Sequence, residues 1–365
     1  MKKRIALVAG ARPNFMKIAP IMRALQAYES SMEAILIHTG QHYDPDMSDV
    51  FFADLGIRKP DKSLNCGGGS HAEQTARIMM AFEQVALGLE PHWVVVVGDV
   101  NSTVACSLVA KKLHMQVAHV EAGLRSGDRT MPEEINRIVT DSISDLFFVT
   151  EPAGQQNLLR EGQAPEKIHY VGHVMIDNLL YQADRLAAGG AKGLQFAPIK
   201  DRLQRYGAVT LHRPANVDDP AMLRTLMGAL VDISKSLPLV FPVHPRTRQR
   251  IDALGMAFPD SLHLLPPLGY MDFLNLWKDA VVVITDSGGL QEETTGLGVP
   301  CVTLRENTER PVTVDEGTNV IVGRDVEKLR QVVSDVMAGR SKQGRRPRLW
   351  DGKAAERICG ILASI

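Results

Sequence analysis

The most informative segment of the sequence is Ile284-Thr285-Asp286-Ser287-Gly288-Gly289-Leu290-Gln291-Glu292-Glu293. It continues the apolar run Val281-Val282-Val283, which is too short for a helix and indicates a buried parallel strand. Two glycines follow, and residues 290–295 are predicted to form a helix that begins at this turn. Because a helix N-terminus carries roughly +0.5 of an elementary charge, the segment predicts a phosphate-binding β–α unit. The alternative is a turn in which glycine serves only tight packing.

Short apolar runs alternate with longer amphipathic stretches, and the pattern starts again after residue 171. The predicted strands are residues 5–9, 34–37, 94–97, 117–120 and 146–149 in the first half, and 209–211, 239–241, 262–264, 281–284 and 301–304 in the second. Strands that are apolar throughout and separated by helices are typical of parallel sheets covered on both faces. We therefore predict an α/β fold with two doubly wound, Rossmann-like domains facing a central cleft, spanning residues 1–172 and 173–350.

Composition excludes several classes of function. The 365-residue chain carries 41 basic and 42 acidic residues, without the basic surface that nucleic-acid binding requires. Its four cysteines form no C-x-x-C pair, which predicts reduced thiols in a cytoplasmic protein. No histidine spacing typical of metal ligands occurs, so we predict no metal. Arg12 interrupts the apolar N-terminal run too early for a signal peptide, and no apolar segment approaches the ~20 residues that span a membrane.

Acidic side chains follow two predicted strands of the first domain. In open α/β sheets, ligands bind beyond the carboxyl ends of the strands, which is where Asp99 and Glu121 are placed. Two carboxylates in one desolvated site can take different protonation states, as a general acid and base require. For Asp99 the alternative is an N-cap of the helix that begins near Asn101. Glu133, after Pro132, is a weaker candidate because acidic residues are common in the first turn of a helix.

Cationic side chains also collect at predicted strand ends. Arg12 and Lys17 follow the first strand, His212-Arg213 follows a strand of the second domain, and Arg305 and Arg310 follow the last strand. Taken singly, Lys and Arg are usually solvated surface residues. Together with the Ser-Gly-Gly turn, they indicate a site for a diphosphate at which His212 stabilises the leaving group.

The motifs at these strand ends resemble, in order and spacing, those of the non-hydrolysing UDP-N-acetylglucosamine 2-epimerases. The resemblance runs from residue 5 to about residue 320. It is carried by Gly10-Ala11-Arg12-Pro13, Thr39-Gly40-Gln41-His42, Gly98-Asp99, His119-Val120-Glu121-Ala122-Gly123-Leu124-Arg125, Pro132-Glu133-Glu134-Ile135-Asn136-Arg137, His212-Arg213, Asp286-Ser287-Gly288-Gly289-Leu290-Gln291-Glu292-Glu293 and Arg305-Glu306-Asn307-Thr308-Glu309-Arg310-Pro311.

This resemblance implies a GT-B-like fold shared with one class of glycosyltransferases, with a C-terminal helix, here residues 352–363, returning to the first domain. It implies reversible conversion of UDP-GlcNAc to UDP-ManNAc without NAD, metal or another cofactor. In the family, the C2 proton is removed while UDP leaves C1, and both are restored to the enzyme-bound 2-acetamidoglucal with the opposite configuration at C2. It also implies a homodimer.

The resemblance assigns a role to each matching residue. Asp99, Glu121 and Glu133 match the acid and base carboxylates, with the base and the acid unassigned, and His212 matches the residue at the diphosphate. The expected ligands of the UDP-sugar are Arg12, Lys17 and Arg310, with Ser287, Gly288 and Gly289 at the phosphates, Glu293 at the ribose and Phe273 against the uracil. Gln41 and His42 match a segment that holds a second, activating UDP-GlcNAc in some bacterial members.

The sequence departs from better-known bacterial members at Asn14-Phe15-Met16 and in the short loop Arg129-Thr130-Met131. Because these segments border the expected sugar pocket, a related UDP-sugar, either a 2,3-diacetamido sugar or a uronic acid, stays open as substrate. Tyr43 and Asp44 also depart from the activator segment. Further alternatives are a hydrolysing epimerase, a GT-B glycosyltransferase, which would need fewer carboxylates at the sugar, and a sugar-nucleotide sensor without turnover.

Overall fold

The computed structural model describes residues 2–40, 49–190, 194 and 196–365. These residues divide into two compact units. Unit 1 ends at Asn178 and also includes Arg348–Ile365, whereas unit 2 comprises Leu179–Pro347. The chain therefore leaves unit 1 within one helix and comes back to it for its last residues.

Unit 1 contains a parallel sheet of seven strands. Its strands are β1 (Lys3–Ala9), β2 (Met32–His38), β3 (Lys62–Ser63), β4 (Trp93–Val97), β5 (Gln116–Val120), β6 (Leu146–Val149) and β7 (Ile168–Tyr170). Its helices are α1 (Arg12–Leu25), α2 (Asp49–Leu55), α3 (His71–Leu89), α4 (Asn101–Lys112), α5 (Pro132–Ile143), α6 (Pro152–Arg160) and α7 (Val174–Arg185), which continues into unit 2, with short 3-10 turns at Gln26–Tyr28 and Pro165–Lys167.

Unit 2 contains a parallel sheet of six strands. Its strands are β8 (Gly207–Thr210), β9 (Leu239–Pro242), β10 (Leu262–Leu265), β11 (Val282–Thr285), β12 (Cys301–Thr303) and β13 (Asn319–Ile321). Its helices are α8 (Ala197–Leu203), α9 (Pro214–Val217), α10 (Pro220–Ser234), α11 (Pro245–Ala253), α12 (Tyr270–Trp277), α13 (Gly288–Leu297), α14 (Pro311–Asp315) and α15 (Val326–Met337), preceded by a wide helical turn at Leu186–Gly190.

The strand order is β3-β2-β1-β4-β5-β6-β7 in the first sheet and β10-β9-β8-β11-β12-β13 in the second. Both orders reverse beside their first strand, as in doubly wound Rossmann-like sheets. The predicted α/β class is thus confirmed, and each of the ten predicted strands is present. The prediction missed β3, β7 and β13, which have two or three residues each and lie at sheet edges. Edge strands are exposed on one side and need no long apolar run.

The central strands are apolar because helices cover them on both sides. All five residues of β4 are buried, and its Val94 and Val96 pack with Ile78 and Phe82 of α3. In unit 2, Val282 and Ile284 of β11 belong to a core that also includes side chains of α10 and α15. The two buried sheets therefore fix the positions of the residues that follow the carboxyl ends of their strands.

The C-terminal helix α16 (Ala354–Ser364) packs against α1 within unit 1. Lys3 donates from Nζ to the Leu362 carbonyl at 3.0 Å, and the Asp177 carboxylate accepts from the Ala355 amide at 2.7 Å. Asp177 therefore supplies a cap that the helix's own N-terminal residue does not. Burial raises the pKa of this carboxyl to about 6. Among the described residues, no helix is both long and apolar enough to cross a bilayer.

Candidate active site

Asp99 and Glu121 follow neighbouring strands of the unit 1 sheet. β4 and β5 pair in parallel with Val97 opposite Val120, so the two carboxylates begin at the same sheet edge. Glu121 has a backbone φ of +71°, which is uncommon for a residue with a side chain and is concentrated at functional sites. Its side chain is only 3% exposed. The structure thus places these two predicted residues together.

Lys17 forms an ion pair with the Glu121 carboxylate, and the Lys17 side chain is 15% exposed. Between them and Asp99 lies Gly98, where an added Cβ would come within 3.0 Å of Lys17 Nζ. Gly98 also has a φ of +67°, which strains a residue with a side chain, so glycine suits this position beside the lysine. The resemblance predicts that Lys17 binds the UDP-sugar, and the structure pairs its ammonium with the Glu121 carboxylate.

Asp99 is held by an arginine that sequence analysis had left without a role. Arg137 of α5 pairs with Asp99 through one guanidinium nitrogen and with Glu134 through another, the latter at 2.8 Å. Burial opposes ionisation of Glu134, but hydrogen bonds from the Ser126 and Gly127 amides and from Arg137 outweigh it and lower the pKa. The ionised Glu134 consequently anchors Arg137 against Asp99. The alternative of an N-cap is wrong, because Val100 occupies the N-cap of α4 and no side chain caps it.

Glu133 lies in the first turn of α5, and its side chain is exposed. In the described part of the chain it has no ion pair or hydrogen bond of its own, in contrast to its buried neighbour Glu134. The structure does not bring Glu133 into contact with Asp99 or Glu121. Ion pairs hold the Glu121 and Asp99 side chains, whereas no contact among the described residues holds the Glu133 side chain.

Arg12, at the start of α1, lies with its guanidinium carbon 5.1 Å from the centre of the Phe51 ring. The neighbouring departure Asn14-Phe15-Met16 is buried. Asn14 accepts from the Gly10 and Ala11 amides at 3.2 and 2.9 Å and donates to the Val97 carbonyl. Asn14 thus holds the turn between β1 and α1, whereas Phe15 and Met16 are core side chains of unit 1.

The Ser-Gly-Gly turn of unit 2 begins α13, as predicted, with Ser287 at the N-cap. The Ser287 side chain makes no capping bond. Apart from its chain neighbours and the backbone of α13 itself, no atom of the described residues lies within 4 Å of a Cβ added to Gly289. Open backbone donors at a helix N-terminus suit an anion. Gln291 connects α13 to the loop after β12, because its Oε1 accepts a hydrogen bond from the Thr308 hydroxyl at 2.7 Å.

His212 and Asp286 form a pair at the ends of the adjacent strands β8 and β11. The Nδ1 of His212 lies 2.9 Å from the Asp286 carboxylate, which also accepts from the His212 and Arg213 amides and from Asn216. Burial opposes ionisation of Asp286, but His212 and these donors lower its pKa. Asp286 is fully buried whereas His212 is 53% exposed. The carboxylate therefore orients an accessible imidazole.

Two adjacent glutamates of α13 lie in the same unit. Glu292 pairs with Arg310, and Glu293 lies 3.4 Å from the Tyr270 hydroxyl. Burial, together with the neighbouring Glu292, raises the pKa of Glu293 to about 8. Phe273 is half-buried on α12, the helix that Tyr270 begins. The predicted nucleotide residues thus occur in unit 2, with Arg310 already engaged by a carboxylate.

Gln41 and His42, the predicted activator residues, lie outside the described residues. Among those described, no cluster of His, Cys, Asp or Glu is arranged to hold a metal ion. Sequence reasoning missed the supporting residues, which are Glu134, Arg137, His119, Asp141 and Asp286. All five stand inside the quoted motifs or the helix that follows them, and only their partners in space show what they do.

Comparisons with known proteins agree with this geometry. The sequence model of a protein family described as UDP-N-acetylglucosamine 2-epimerase matches residues 23–363. A UDP-N-acetylglucosamine 2-epimerase of Methanococcus maripaludis is 40% identical and aligns over 98% of both chains. A UDP-2,3-diacetamido-2,3-dideoxy-D-glucuronate 2-epimerase of Pseudomonas aeruginosa is also 40% identical, over 99% of this chain and 100% of its own.

A solved structure shows the same likeness in three dimensions. The crystal structure of the Methanocaldococcus jannaschii UDP-GlcNAc 2-epimerase in complex with UDP-GlcNAc and UDP superposes with a TM-score of 0.85. It is 39% identical and covers 99% of this chain and 100% of its own. The family match and these relatives extend over nearly the whole sequence. The chain belongs to the UDP-N-acetylglucosamine 2-epimerase family.

Proposed function

We propose that this protein interconverts UDP-GlcNAc and UDP-ManNAc by reversible epimerisation at C2, through elimination and re-addition of UDP. The observation that carries the proposal is the pair of carboxylates, Asp99 and Glu121, at the ends of adjacent strands, each held by its own cation. Family membership and the UDP-GlcNAc complex of the Methanocaldococcus jannaschii relative support the choice of substrate.

The C2–H bond of the sugar is weakly acidic because no carbonyl adjoins it. Its loss therefore has to be coupled to departure of a stabilised leaving group. A carboxylate of unit 1 takes the C2 proton, the C–H electrons form the C1=C2 bond, and the C1–O electrons pass to the β-phosphate of UDP. Re-addition of UDP with proton delivery to the opposite face of C2 completes the epimerisation without a net redox change.

Each unit contributes a distinct part of this chemistry. In unit 2, Ser287, Gly288 and Gly289 at the α13 N-terminus would bind the diphosphate, and the His212 imidazole, oriented by Asp286, would stabilise its growing charge. Glu293 would accept the ribose hydroxyls and Phe273 would contact the uracil. In unit 1, Asp99 and Glu121 would exchange the proton, assisted by Glu133, while Arg12 and Lys17 supply positive charge.

The test is proton NMR of the purified protein with UDP-GlcNAc in D2O, without NAD or added metal. We expect deuterium at C2 together with UDP-ManNAc. Glu121→Gln should abolish the exchange, whereas Glu83→Gln, a change of the same type at an exposed site of α3, should not. Release of UDP and free ManNAc would indicate a hydrolysing epimerase. No C2 exchange with UDP-GlcNAc would overturn this choice of substrate, and no exchange with any UDP-2-acetamido sugar would overturn C2 epimerisation itself.

A second candidate substrate is UDP-2,3-diacetamido-2,3-dideoxy-glucuronate. The Pseudomonas aeruginosa enzyme named for that sugar is as similar to this chain as the UDP-GlcNAc epimerase of Methanococcus maripaludis, at 40% identity. The same elimination applies to both, because both sugars carry the 2-acetamido group and UDP. Comparing kcat/KM for the two UDP-sugars distinguishes the candidates, and a ratio above tenfold in either direction identifies the preferred one.

We also propose that the protein acts as a cytoplasmic homodimer. The four cysteines, all buried and unpaired, support a reducing compartment. Oligomers of one chain are most often twofold dimers, which supports the second part. Light scattering coupled to gel filtration measures the mass directly, and a particle of about 40 kDa, the mass of one chain, would contradict the dimer.

A further inference from the structure

His119 and Asp141 form a buried ionic pair that the proposed chemistry does not use. His119 is on β5, two residues before Glu121, and Asp141 is on α5. Both side chains are 0% exposed, and His119 Nδ1 lies 2.6 Å from Asp141 Oδ1. Burying ionisable groups is costly unless each finds a partner. The contacts of these two side chains must therefore offset the cost of burying them.

The hydrogen bonds of His119 call for a proton on both ring nitrogens. Nε2 lies 2.9 Å from the Gly98 carbonyl, which can only accept, so Nε2 donates. Nδ1 faces Asp141, and Arg125 pairs with the same carboxylate at 2.8 Å. Burial opposes ionisation of Asp141, but His119 and Arg125 outweigh it and lower its pKa. An ionised Asp141 can only accept, so Nδ1 donates as well and the ring is an imidazolium.

The same carboxylate bonds a side chain before Glu121 and a backbone amide after it. Oδ1 of Asp141 bonds His119, two residues before Glu121, and Oδ2 accepts from the Gly123 amide, two residues after it, at 3.0 Å. Glu121 itself has the left-handed φ of +71°. Such a conformation persists only where surrounding contacts over-determine it. Asp141 supplies two of those contacts, and the Phe148 carbonyl accepts the Glu121 amide at 3.0 Å.

The imidazole also reaches the second carboxylate through the backbone. Its Nε2 holds the carbonyl of Gly98, the residue directly before Asp99. The buried ring of His119, a residue of β5, therefore links the end of β5 to the end of β4. Glu121 and Asp99, the candidate acid and base groups, follow these two strand ends. A displacement of either strand end would move a carboxylate relative to the sugar.

We propose that His119 and Asp141 are positioning residues for the epimerase reaction: their buried pair holds the chain segments that carry Glu121 and Asp99 in their working geometry. The catalytic part of this inference rests on the proposed function, whereas the protonation of His119 does not. The charged groups that share this surrounding are Asp141, Arg125 and Arg137 next to or on α5, Lys17 on α1, and Asp99 and Glu121 themselves.

The first experiment uses the wild-type full-length chain labelled with 15N-histidine. We expect one histidine to show one-bond N–H correlations from both ring nitrogens under the conditions of the activity assay, with the Nδ1 proton strongly downfield, and to be missing from the His119→Gln spectrum. A single protonated nitrogen on His119 would overturn the ionic pair. Because it uses wild-type protein for the decisive reading, a variant that folds poorly does not prevent the test.

The second experiment separates positioning from mere stability. Asp145→Asn is the matched control, because Asp145 bonds Lys111 and the Val117 amide at the opposite end of the same strand β5. We expect His119→Gln and Asp141→Asn to lower kcat about 10- to 100-fold, with KM and the affinity for UDP changed less than about twofold. Asp145→Asn should reduce thermal stability and leave kcat near the wild-type value.

A purely structural role of His119 and Asp141 would leave the pH dependence of kcat unchanged. This dependence therefore distinguishes positioning from stability. In His119→Gln the Asp141 carboxylate loses one of its two partners. Its less compensated negative charge disfavours ionisation of the nearby carboxylates, so the acidic limb of the profile should move to higher pH. A profile and kcat that match those of Asp145→Asn would overturn the positioning role. If wild type itself fails to epimerise any UDP-2-acetamido sugar, the proposed function fails, while the NMR result still decides whether the ionic pair exists.

Discussion

The imidazole Nδ1 of His212 lies 2.9 Å from Oδ1 of Asp286, so a fully buried carboxylate orients a histidine that is 53% exposed. The two residues end adjacent parallel strands, β8 and β11, whose register places Thr210 opposite Thr285. This arrangement leaves Nε2 of His212 as the ring nitrogen directed away from the carboxylate. A protonated His212 could therefore serve the leaving diphosphate while Asp286 balances its charge.

Asp286→Asn should disorient His212 because the amide cannot accept all the hydrogen bonds that the carboxylate accepts. We expect kcat to fall about 100-fold, the scale of a misplacement near 1 Å, and the free energy of unfolding to fall by about 1–3 kcal/mol. Steady-state kinetics and thermal unfolding measure the two effects. Asp201→Asn, at an exposed site of α8, is the control, and an Asp286→Asn enzyme as active as this control would contradict the role of Asp286.

Arg137→Met should both destabilise the protein and impair catalysis, because Arg137 is paired with Glu134 and with Asp99. Removing one partner of a buried ion pair costs about 3–5 kcal/mol. Adding Glu134→Gln removes the uncompensated charge, so the double variant should regain much of the lost stability. Its kcat should stay low, since Asp99 still lacks its cation. Recovery of kcat together with stability would show that Arg137 acts only on folding.

Glycine at position 121 should be more stable than alanine at the same position. Glu121 has a φ of +71°, where alanine is strained and glycine is not. We expect Glu121→Gly to exceed Glu121→Ala by about 1 kcal/mol in free energy of unfolding, with both variants inactive. Chemical denaturation measures the difference. At Glu83, inside the helix α3, the order should reverse because glycine is unfavourable there.

Glu293→Gln should change how stability depends on pH. Burial and Glu292 raise the pKa of Glu293 from 4.5 to about 8. A group whose pKa is raised on folding stabilises the protein fully below its unfolded pKa and loses that contribution as pH rises through the folded pKa. The melting temperature of Glu293→Gln should therefore gain on wild type between pH 5 and pH 9. A difference that stays constant across this range, as expected for Glu83→Gln, would refute the prediction.

Local sequence pattern was sufficient to predict the longer strands and helices and the residues that follow the strands. The runs at β4 and β11 are apolar throughout because both faces of the sheet are covered, and Gly288-Gly289 marks the start of α13 from composition alone. It failed at β3, β7 and β13, where an edge position removes the need for apolar residues. Local pattern also did not show that Asn14, Phe15 and Met16 are buried inside unit 1.

The alternation of strands and helices could be inferred from local pattern alone, and with it the groups that follow the strands: Asp99, Glu121, His212 and the Ser-Gly-Gly turn. These depend on periodicity and local conformation, which neighbouring residues set. Which charged groups pair with one another became visible only in the folded structure. The pairs Lys17 with Glu121, Arg137 with Asp99 and His119 with Asp141 join residues from different elements. Charge and hydrogen-bond partners depend on distance in space, and packing of helices on the sheet brings those partners together.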